Sequence, residues 1–120
     1  MNAYELRSAT IELASVFAEC RAPDWDGYGA LPVTPQAWLH AERFLEMVAT
    51  DSPPPTIGAE PDGQITMEWG SQRGRRLSVS ISPDGDFHYA AILGSSTRHG
   101  TERQFEVVPE PVVSWIRAVT

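Results

Sequence analysis

The hydrophobic period of this chain changes once, and the change divides the sequence into a helical half and a sheet half. Up to residue 50 the apolar residues recur at spacings of three and four, whereas from Thr56 onward they alternate with polar residues. These spacings mark one face of an α-helix and one face of a β-strand, respectively. Between the halves lies Asp51-Ser-Pro-Pro-Pro55, whose prolines exclude helix and stiffen the chain. We therefore expect one α+β domain over residues 1–120, with helices packed on one face of an antiparallel sheet.

Two helices are predicted in residues 1–50 and a short one at the end of the chain. The first covers Ala3–Cys20, and its apolar stripe consists of Leu6, Ala9, Leu13, Val16 and Cys20. The second begins at Thr34-Pro35, where threonine suits the N-cap and proline the first helical position, and it ends near Ala49. The last helix covers residues 110–119 and is opened by Pro111.

The sheet is predicted over residues 56–108 as an antiparallel meander of four to five strands. Alternating residues cover 64–69, 77–82 and 87–93; a short strand precedes them at Thr56–Glu60, and Phe105–Val108 is the candidate fifth strand at the edge. Glu60-Pro-Asp-Gly63 and Ser82-Pro-Asp-Gly85 both have the residues of tight turns, which indicates two tandem hairpins. One face of the strand Leu77–Ile81 is all serine, so we expect that face to meet water or a partner.

The charge and the cysteine content restrict the partners and the compartment. The formal net charge is -7, and all nine basic residues are arginine, a composition typical of bacterial or phage genomes rich in GC. Net acidity argues against broad nonspecific binding to nucleic acid, but it permits a local basic patch or a basic protein partner. The only cysteine, Cys20, cannot form an internal disulfide. Because no apolar run can span a bilayer and Met1–Leu13 lacks a secretory pattern, we expect a cytoplasmic protein.

A meander of this kind should separate opposite charges to the two ends of the sheet. The end with the two turns would gather the acidic residues Glu60, Asp62, Asp84 and Asp86, and we expect this acidic end to contact a partner protein. The other end, formed by the 70–76 connection and a 94–104 loop, would gather Arg73, Arg75, Arg76, Arg98 and Arg103. The planar guanidinium fork suits phosphate and carboxylate, so these arginines are a candidate site for phosphate or an acidic partner. The alternative is that they are solvated and paired with nearby glutamates.

The stretch DWDGYGALPVTPQAW, residues 24–38, admits two interpretations. It is either a rigid connector between two helices, pinned by Trp25 and Tyr28, or a partner-binding surface formed by Trp25, Asp26 and Tyr28. Gly27 and Gly29 can adopt backbone angles that other residues avoid. A calcium loop is not indicated, because Tyr28 stands where the third oxygen ligand belongs.

The order Trp25-Asp26-Gly27-Tyr28-Gly29-Ala30, one further residue and then Pro32 resembles the signature of a family of small bacterial proteins of unknown function. In that resemblance the motif is followed by a helix, a proline-rich break and a strand that ends in Glu-Trp, here Glu68-Trp69. The likeness covers about residues 24–90. It implies a coherent domain, and it implies no activity, cofactor or partner.

No catalytic residue, metal site or cofactor is predicted. The histidines His40, His88 and His99 have no zinc-binding spacing, and no strand–serine–helix elbow is present. We favour a non-enzymatic interaction module that inhibits or partners another bacterial protein, as a phage or mobile-element anti-defence factor or an antitoxin-like protein. The alternative is nucleic-acid or phospholigand binding through the arginine-rich end. An enzyme would need a pocket uniting His88 or His99 with a carboxylate. A homo-oligomer through the serine face or the fifth strand stays open.

Overall fold

A computed structural model of the 120-residue chain describes residues 1–70, 72–103 and 110–120. Its elements, in chain order, are α1 (Ala3–Cys20), α2 (Pro35–Val48), β1 (Thr56–Ala59), β2 (Ile65–Trp69), β3 (Arg75–Ile81), β4 (Phe87–Leu93), β5 (Ser96–Glu102) and α3 (Glu110–Val119). The predicted α+β class is therefore confirmed, with two N-terminal helices, an antiparallel sheet and a short C-terminal helix. Among these ranges no helix combines the length and apolar character that crossing a bilayer requires.

The five strands form one sheet in the order β1-β2-β3-β4-β5, and every neighbouring pair is antiparallel. The predicted meander is thus confirmed, but the position of its fifth strand was wrong. The edge strand is Ser96–Glu102, in the segment expected to be a loop, and the predicted Phe105–Val108 strand lies outside the described residues. Alternation gave no signal for β5 because most of its residues are exposed and polar.

Specific side chains start the first two helices where the sequence predicted. The Asn2 Oδ1 atom accepts a hydrogen bond from the Glu5 amide at 2.8 Å, and Glu5 Oε1 accepts one from the Asn2 amide at 2.9 Å. This reciprocal capping box satisfies two amides that the helix itself leaves unpaired. At α2 the Thr34 hydroxyl accepts a bond from the Ala37 amide at 3.2 Å, as expected of an N-cap threonine.

The helices pack on one face of the sheet and leave the other face open. Leu77, Val79 and Ile81 of β3 are buried in the core, whereas the alternating serines Ser78 and Ser80 are only half-buried. In the core, the fully buried ring of Phe44 from α2 lies 5.5 Å from that of Phe87. Among the described residues, no helix packs on the serine side, so the polar residues of that face are free of the helical layer.

Candidate functional site

The two Pro-Asp-Gly turns lie at one end of the sheet, which we call the turn end. The pairs Ala59↔Ile65 and Ile81↔Phe87 close the two hairpins there. The Gly63 amide donates to the Glu60 carbonyl at 2.9 Å, and the equivalent bond in the second turn joins Gly85 to Ser82 at 3.1 Å. The predicted acidic group Glu60, Asp62, Asp84 and Asp86 is thereby placed at a single end of the molecule.

The connector between α1 and α2 is a loop closed by its own aspartates. Asp24 has a left-handed φ of 62°, and its Oδ1 accepts a hydrogen bond from the Gly29 amide at 2.6 Å. Asp26 Oδ1 accepts from two amides, Tyr28 at 2.8 Å and Ala30 at 3.0 Å. Short polar side chains tolerate the left-handed region and replace backbone partners in turns. Both aspartates therefore hold the loop in shape, so Asp26 acts as a scaffold for the partner surface that the sequence predicted.

A backbone hydrogen bond fastens this loop to the first acidic turn. The Leu31 amide donates to the Pro61 carbonyl at 2.8 Å. Gly63 has a φ of 89°, and a Cβ there would lie 2.8 Å from the Pro32 carbonyl oxygen, so the two segments are in close contact. The motif residues and the acidic turns, which the sequence predicted as separate partner-binding groups, thus form one continuous surface. We call it the turn-end surface, comprising residues 24–31, 60–64 and 82–86.

The two aromatic residues of the loop differ in exposure, because one packs against the core and the other faces solvent. Trp25 packs against the core, and its indole Nε1 donates to the Leu31 carbonyl at 2.8 Å. Tyr28 is 93% exposed, although the sequence treated it as a possible buried anchor, and that expectation was wrong. The reason is local: Gly27 and Gly29 have φ values of 77° and 84°, and this turn carries the intervening side chain outward. Leu31 beside it is 59% exposed, so an aromatic and an aliphatic side chain both face solvent.

Negative charge surrounds these apolar side chains. The turn-end surface carries six carboxylates, namely Asp24, Asp26, Glu60, Asp62, Asp84 and Asp86. Two arginines accompany it: Arg21 follows α1, and Arg103 follows β5. The Ser80 hydroxyl donates to Glu60 at 3.1 Å. Burial raises the pKa of Glu60 and the Asp62 charge raises it further, while the Ser80 hydrogen bond lowers it. Glu60 therefore ionises less easily than an ordinary glutamate, because its pKa is raised.

The opposite end of the sheet, which we call the Arg end, holds four of the five predicted arginines. Arg73 lies in the β2–β3 connection, Arg75 and Arg76 open β3, and Arg98 stands two residues into β5. Arg103 was wrongly assigned to this group. Because Ser96–Glu102 is a strand and Glu102 pairs with Phe87, the chain has returned to the turn end before it reaches Arg103.

A polar cleft of about 610 Å³ occupies the Arg end. Its lining includes Thr56, Glu68, Gln72, Arg75, Arg76 and Val119. Within the part of the chain that the structure describes, neither guanidinium group of the cleft makes a hydrogen bond or an ion pair. Each of these guanidinium groups carries five N–H donors that suit an anion, whereas the Glu68 carboxylate in the same lining repels an anion.

Among the described residues the histidines form no metal-binding group with carboxylates, although an electrostatic interaction with His88 lowers the pKa of Glu60. The His88 Nδ1 atom lies 2.8 Å from the Thr101 hydroxyl, and His40 lies against Gly85. His99 pairs with Ala90 on the edge strand and is exposed. Across residues 1–70, 72–103 and 110–120, no three His, Cys, Asp or Glu side chains form a group that could hold a metal ion.

The sequence did not predict that Leu31 is exposed or that its amide bonds the loop to the first acidic turn. A backbone hydrogen bond between segments distant in the chain leaves no signal in the sequence. Comparison of the chain with protein-family models, with curated proteins and with solved structures gives no match. The resemblance carried by Trp25–Pro32 therefore stays a prediction.

Proposed function

We propose that this protein is a non-enzymatic interaction module that binds a basic surface of another protein through its turn-end surface. The observation that carries the proposal is the exposure of Tyr28, at 93%, on a loop that six internal hydrogen bonds hold in one shape. The fold does not need an aromatic ring at this exposed position. Tyrosine is, however, a preferred anchor in protein interfaces, so its exposure on a rigid loop favours a binding role.

The energetics of such an interface follow from its construction. A loop that is already ordered loses little conformational entropy on binding, so more of the contact energy appears as affinity. Tyr28 and Leu31 supply the apolar centre, and the surrounding carboxylates supply attraction to a basic partner. Charge of this kind accelerates association and excludes acidic competitors more than it strengthens the complex. The partner is therefore expected to offer an apolar recess bordered by arginine or lysine.

Within this proposal the protein acts as an inhibitor or partner of another bacterial protein, in the manner of an anti-defence factor or an antitoxin-like protein. A small acidic module can occupy a basic cleft that otherwise receives nucleic acid, because both present concentrated negative charge. We place it in the cytoplasm, where the single thiol of Cys20, buried and free, suits reducing conditions.

Site-specific photo-crosslinking in native cells tests the proposal. A photoreactive phenylalanine analogue replaces Tyr28 in one variant and Tyr4 in a matched control; Tyr4 is 76% exposed in the first turn of α1. An 18-residue helix is about 27 Å long, so the two probes sample opposite ends of the molecule.

We expect one discrete protein adduct from position 28, absent from position 4, that weakens when Asp62→Asn and Asp84→Asn are combined. Equal adducts from both positions, or none from position 28, would contradict the proposal. An adduct to nucleic acid instead of protein would replace it with the second candidate.

The second candidate is binding of a phosphorylated ligand or nucleic acid in the cleft at the Arg end. The unpaired guanidinium groups of Arg75 and Arg76 favour it. Arg75→Ala combined with Arg76→Ala should weaken the binding seen as a mobility shift of labelled single- or double-stranded DNA at low salt and flatten its salt dependence. Arg117→Ala, an exposed arginine on α3, is the matched control. Absence of any shift with the unaltered protein removes this candidate.

A further inference from the structure

The two edges of the sheet differ in how they are protected. Along β1 the amide of Ile57 points away from the sheet and donates to the Glu12 carboxylate of α1 at 3.3 Å. Helix α1 packs against the same strand, so this edge is covered. At the opposite edge, β5 pairs with β4 alone, and no strand among the described residues lies along its outer side. An unprotected edge seven residues long is a template for pairing with another strand.

The ladder determines which backbone groups of β5 face outward. In an antiparallel pair, residues that exchange hydrogen bonds alternate with residues that do not. Leu93 and Ser96 flank the two-residue turn formed by Gly94 and Ser95, so they are a hydrogen-bonded pair. Ser96, Arg98, Gly100 and Glu102 therefore bond to β4. The outward amides and carbonyls belong to Thr97, His99 and Thr101; within one copy the Arg98 guanidinium donates to the Thr97 carbonyl at 2.9 Å, a bond that it exchanges for Glu102 of the partner subunit on pairing.

The sequence of β5 is complementary to itself in only one antiparallel register that also pairs the charges. If two copies meet with Gly100 opposite Gly100, then His99 lies opposite Thr101 and their outward groups can exchange hydrogen bonds. The same register sets Arg98 opposite Glu102 of the partner subunit, and twofold symmetry repeats the pair. These are non-hydrogen-bonded positions, where opposing side chains are closest.

The neighbouring allowed registers lack this match. Moving the copies by one step in one direction sets His99 opposite His99 and leaves Arg98 opposite glycine. A further step in that direction sets Arg98 against Arg98, so like charges oppose each other. A step in the other direction sets Glu102 opposite glycine. Charge pairing therefore selects the register centred on Gly100.

The side chain of Tyr89 lies at the centre of this register. Its ring lies over Gly100, where a Cβ would come within 2.6 Å of the tyrosine hydroxyl oxygen. The absence of a side chain at Gly100 thus lets an aromatic ring from β4 cover the edge strand, as aromatic residues do for glycines at sheet edges. In a twofold pair, the Tyr89 rings of both copies would flank the axis.

We propose that two copies of this chain associate through antiparallel pairing of β5 with β5, centred on Gly100, with reciprocal Arg98–Glu102 ion pairs. The product is a continuous ten-stranded sheet, because each copy contributes five strands. Paired residues across a sheet point to the same face, so the helices of both copies lie on one side and the serine faces join on the other. The dimer leaves the turn-end surface exposed and does not depend on the function proposed for it.

Charge exchange tests the register. Arg98→Glu and Glu102→Arg are each expected to weaken the dimer about tenfold or more, because each replaces two attractive pairs by two repulsive ones. The double variant restores the attraction with reversed polarity and should regain the affinity of the unaltered protein. Arg117→Glu makes the same change of charge on exposed α3 and should have no effect. Sedimentation velocity over a concentration series measures each dissociation constant.

A second variant separates loss of pairing from loss of folding. His99→Pro removes an outward amide at the middle of β5, and an edge strand tolerates proline at such a position. It should yield a monomer whose circular dichroism spectrum matches that of the unaltered protein. A monomer at every concentration before any substitution overturns the inference. So does a dimer that withstands the single exchanges, or one that the double exchange fails to restore.

Discussion

Replacing Asp26 by alanine removes the carboxylate that accepts hydrogen bonds from the amides of Tyr28 and Ala30, at 2.8 and 3.0 Å. The two amides differ in environment. Ala30 is only 3% exposed, whereas Tyr28 is almost fully exposed and its amide can bond to water after the substitution. The loss should therefore come mainly from the Ala30 amide, which is left in a buried site without a partner.

The expected magnitude follows from these two environments. Leaving a buried amide unsatisfied costs about 1–3 kcal/mol, and losing an exposed hydrogen bond costs about 0.5 kcal/mol. Asp26→Ala should therefore lower the free energy of unfolding by about 2 kcal/mol. Asp26→Asn keeps an oxygen acceptor and should cost under about 1 kcal/mol. Tyr28→Ala removes a side chain with almost no intramolecular contact, so it should change stability by less than about 0.5 kcal/mol.

Urea titration followed by tryptophan fluorescence measures all three variants, since Trp25 lies in the loop and three other tryptophans report on the rest of the chain. The decisive comparison is between Asp26→Ala and Tyr28→Ala. If both cost the same, or if Asp26→Ala costs under about 0.5 kcal/mol, the loop is not the preordered scaffold described above. The proposed separation of scaffold from contact residue would then be refuted.

Two further predictions concern glycine positions and pH. Gly70→Ala should lower the free energy of unfolding by about 3 kcal/mol or more, because φ is 87° and the new Cβ would lie 2.5 Å from the Arg75 carbonyl oxygen. Gly27→Ala has open space around the new Cβ, so it should lower the free energy of unfolding only by the backbone strain of about 1–2 kcal/mol. Thermal unfolding of both variants tests the contrast. The pKa of Glu60 is raised above its ordinary value of 4.5, so its contribution to stability is fully present below that pH and is lost as pH rises through the folded-state pKa. Glu60→Gln should therefore gain stability relative to the unaltered protein on going from about pH 4 to neutral pH, and an equal urea midpoint difference at both would contradict this.

Two errors in the sequence prediction, the position of the fifth strand and the placement of Arg103, share one cause, which is the edge strand. Ser96–Glu102 contains no apolar side chain, and its one contact with an aromatic ring comes from Tyr89 of β4, which lies against Gly100. Hydrophobic alternation appears where one face of a strand is buried, so a strand that is mostly exposed shows little of it. A weaker signal was present: Gly94 and Ser95 form a two-residue hairpin turn directly after β4. Reading that turn would have placed Arg103 at the turn end and reduced the predicted arginine cluster to four.

The sequence alone determined the three helices, the first four strands and their order, because helix and strand periods, N-caps, prolines and turn residues act over a few neighbouring positions. It also determined the meander and the gathering of Glu60, Asp62, Asp84 and Asp86, since tight turns leave antiparallel strands no other arrangement. Only the tertiary structure decided that Tyr28 faces solvent, that the loop is bonded to Pro61, and that β5 presents a self-complementary edge. These features depend on contacts between residues far apart in the chain, and such contacts exist only after the strands and helices have packed.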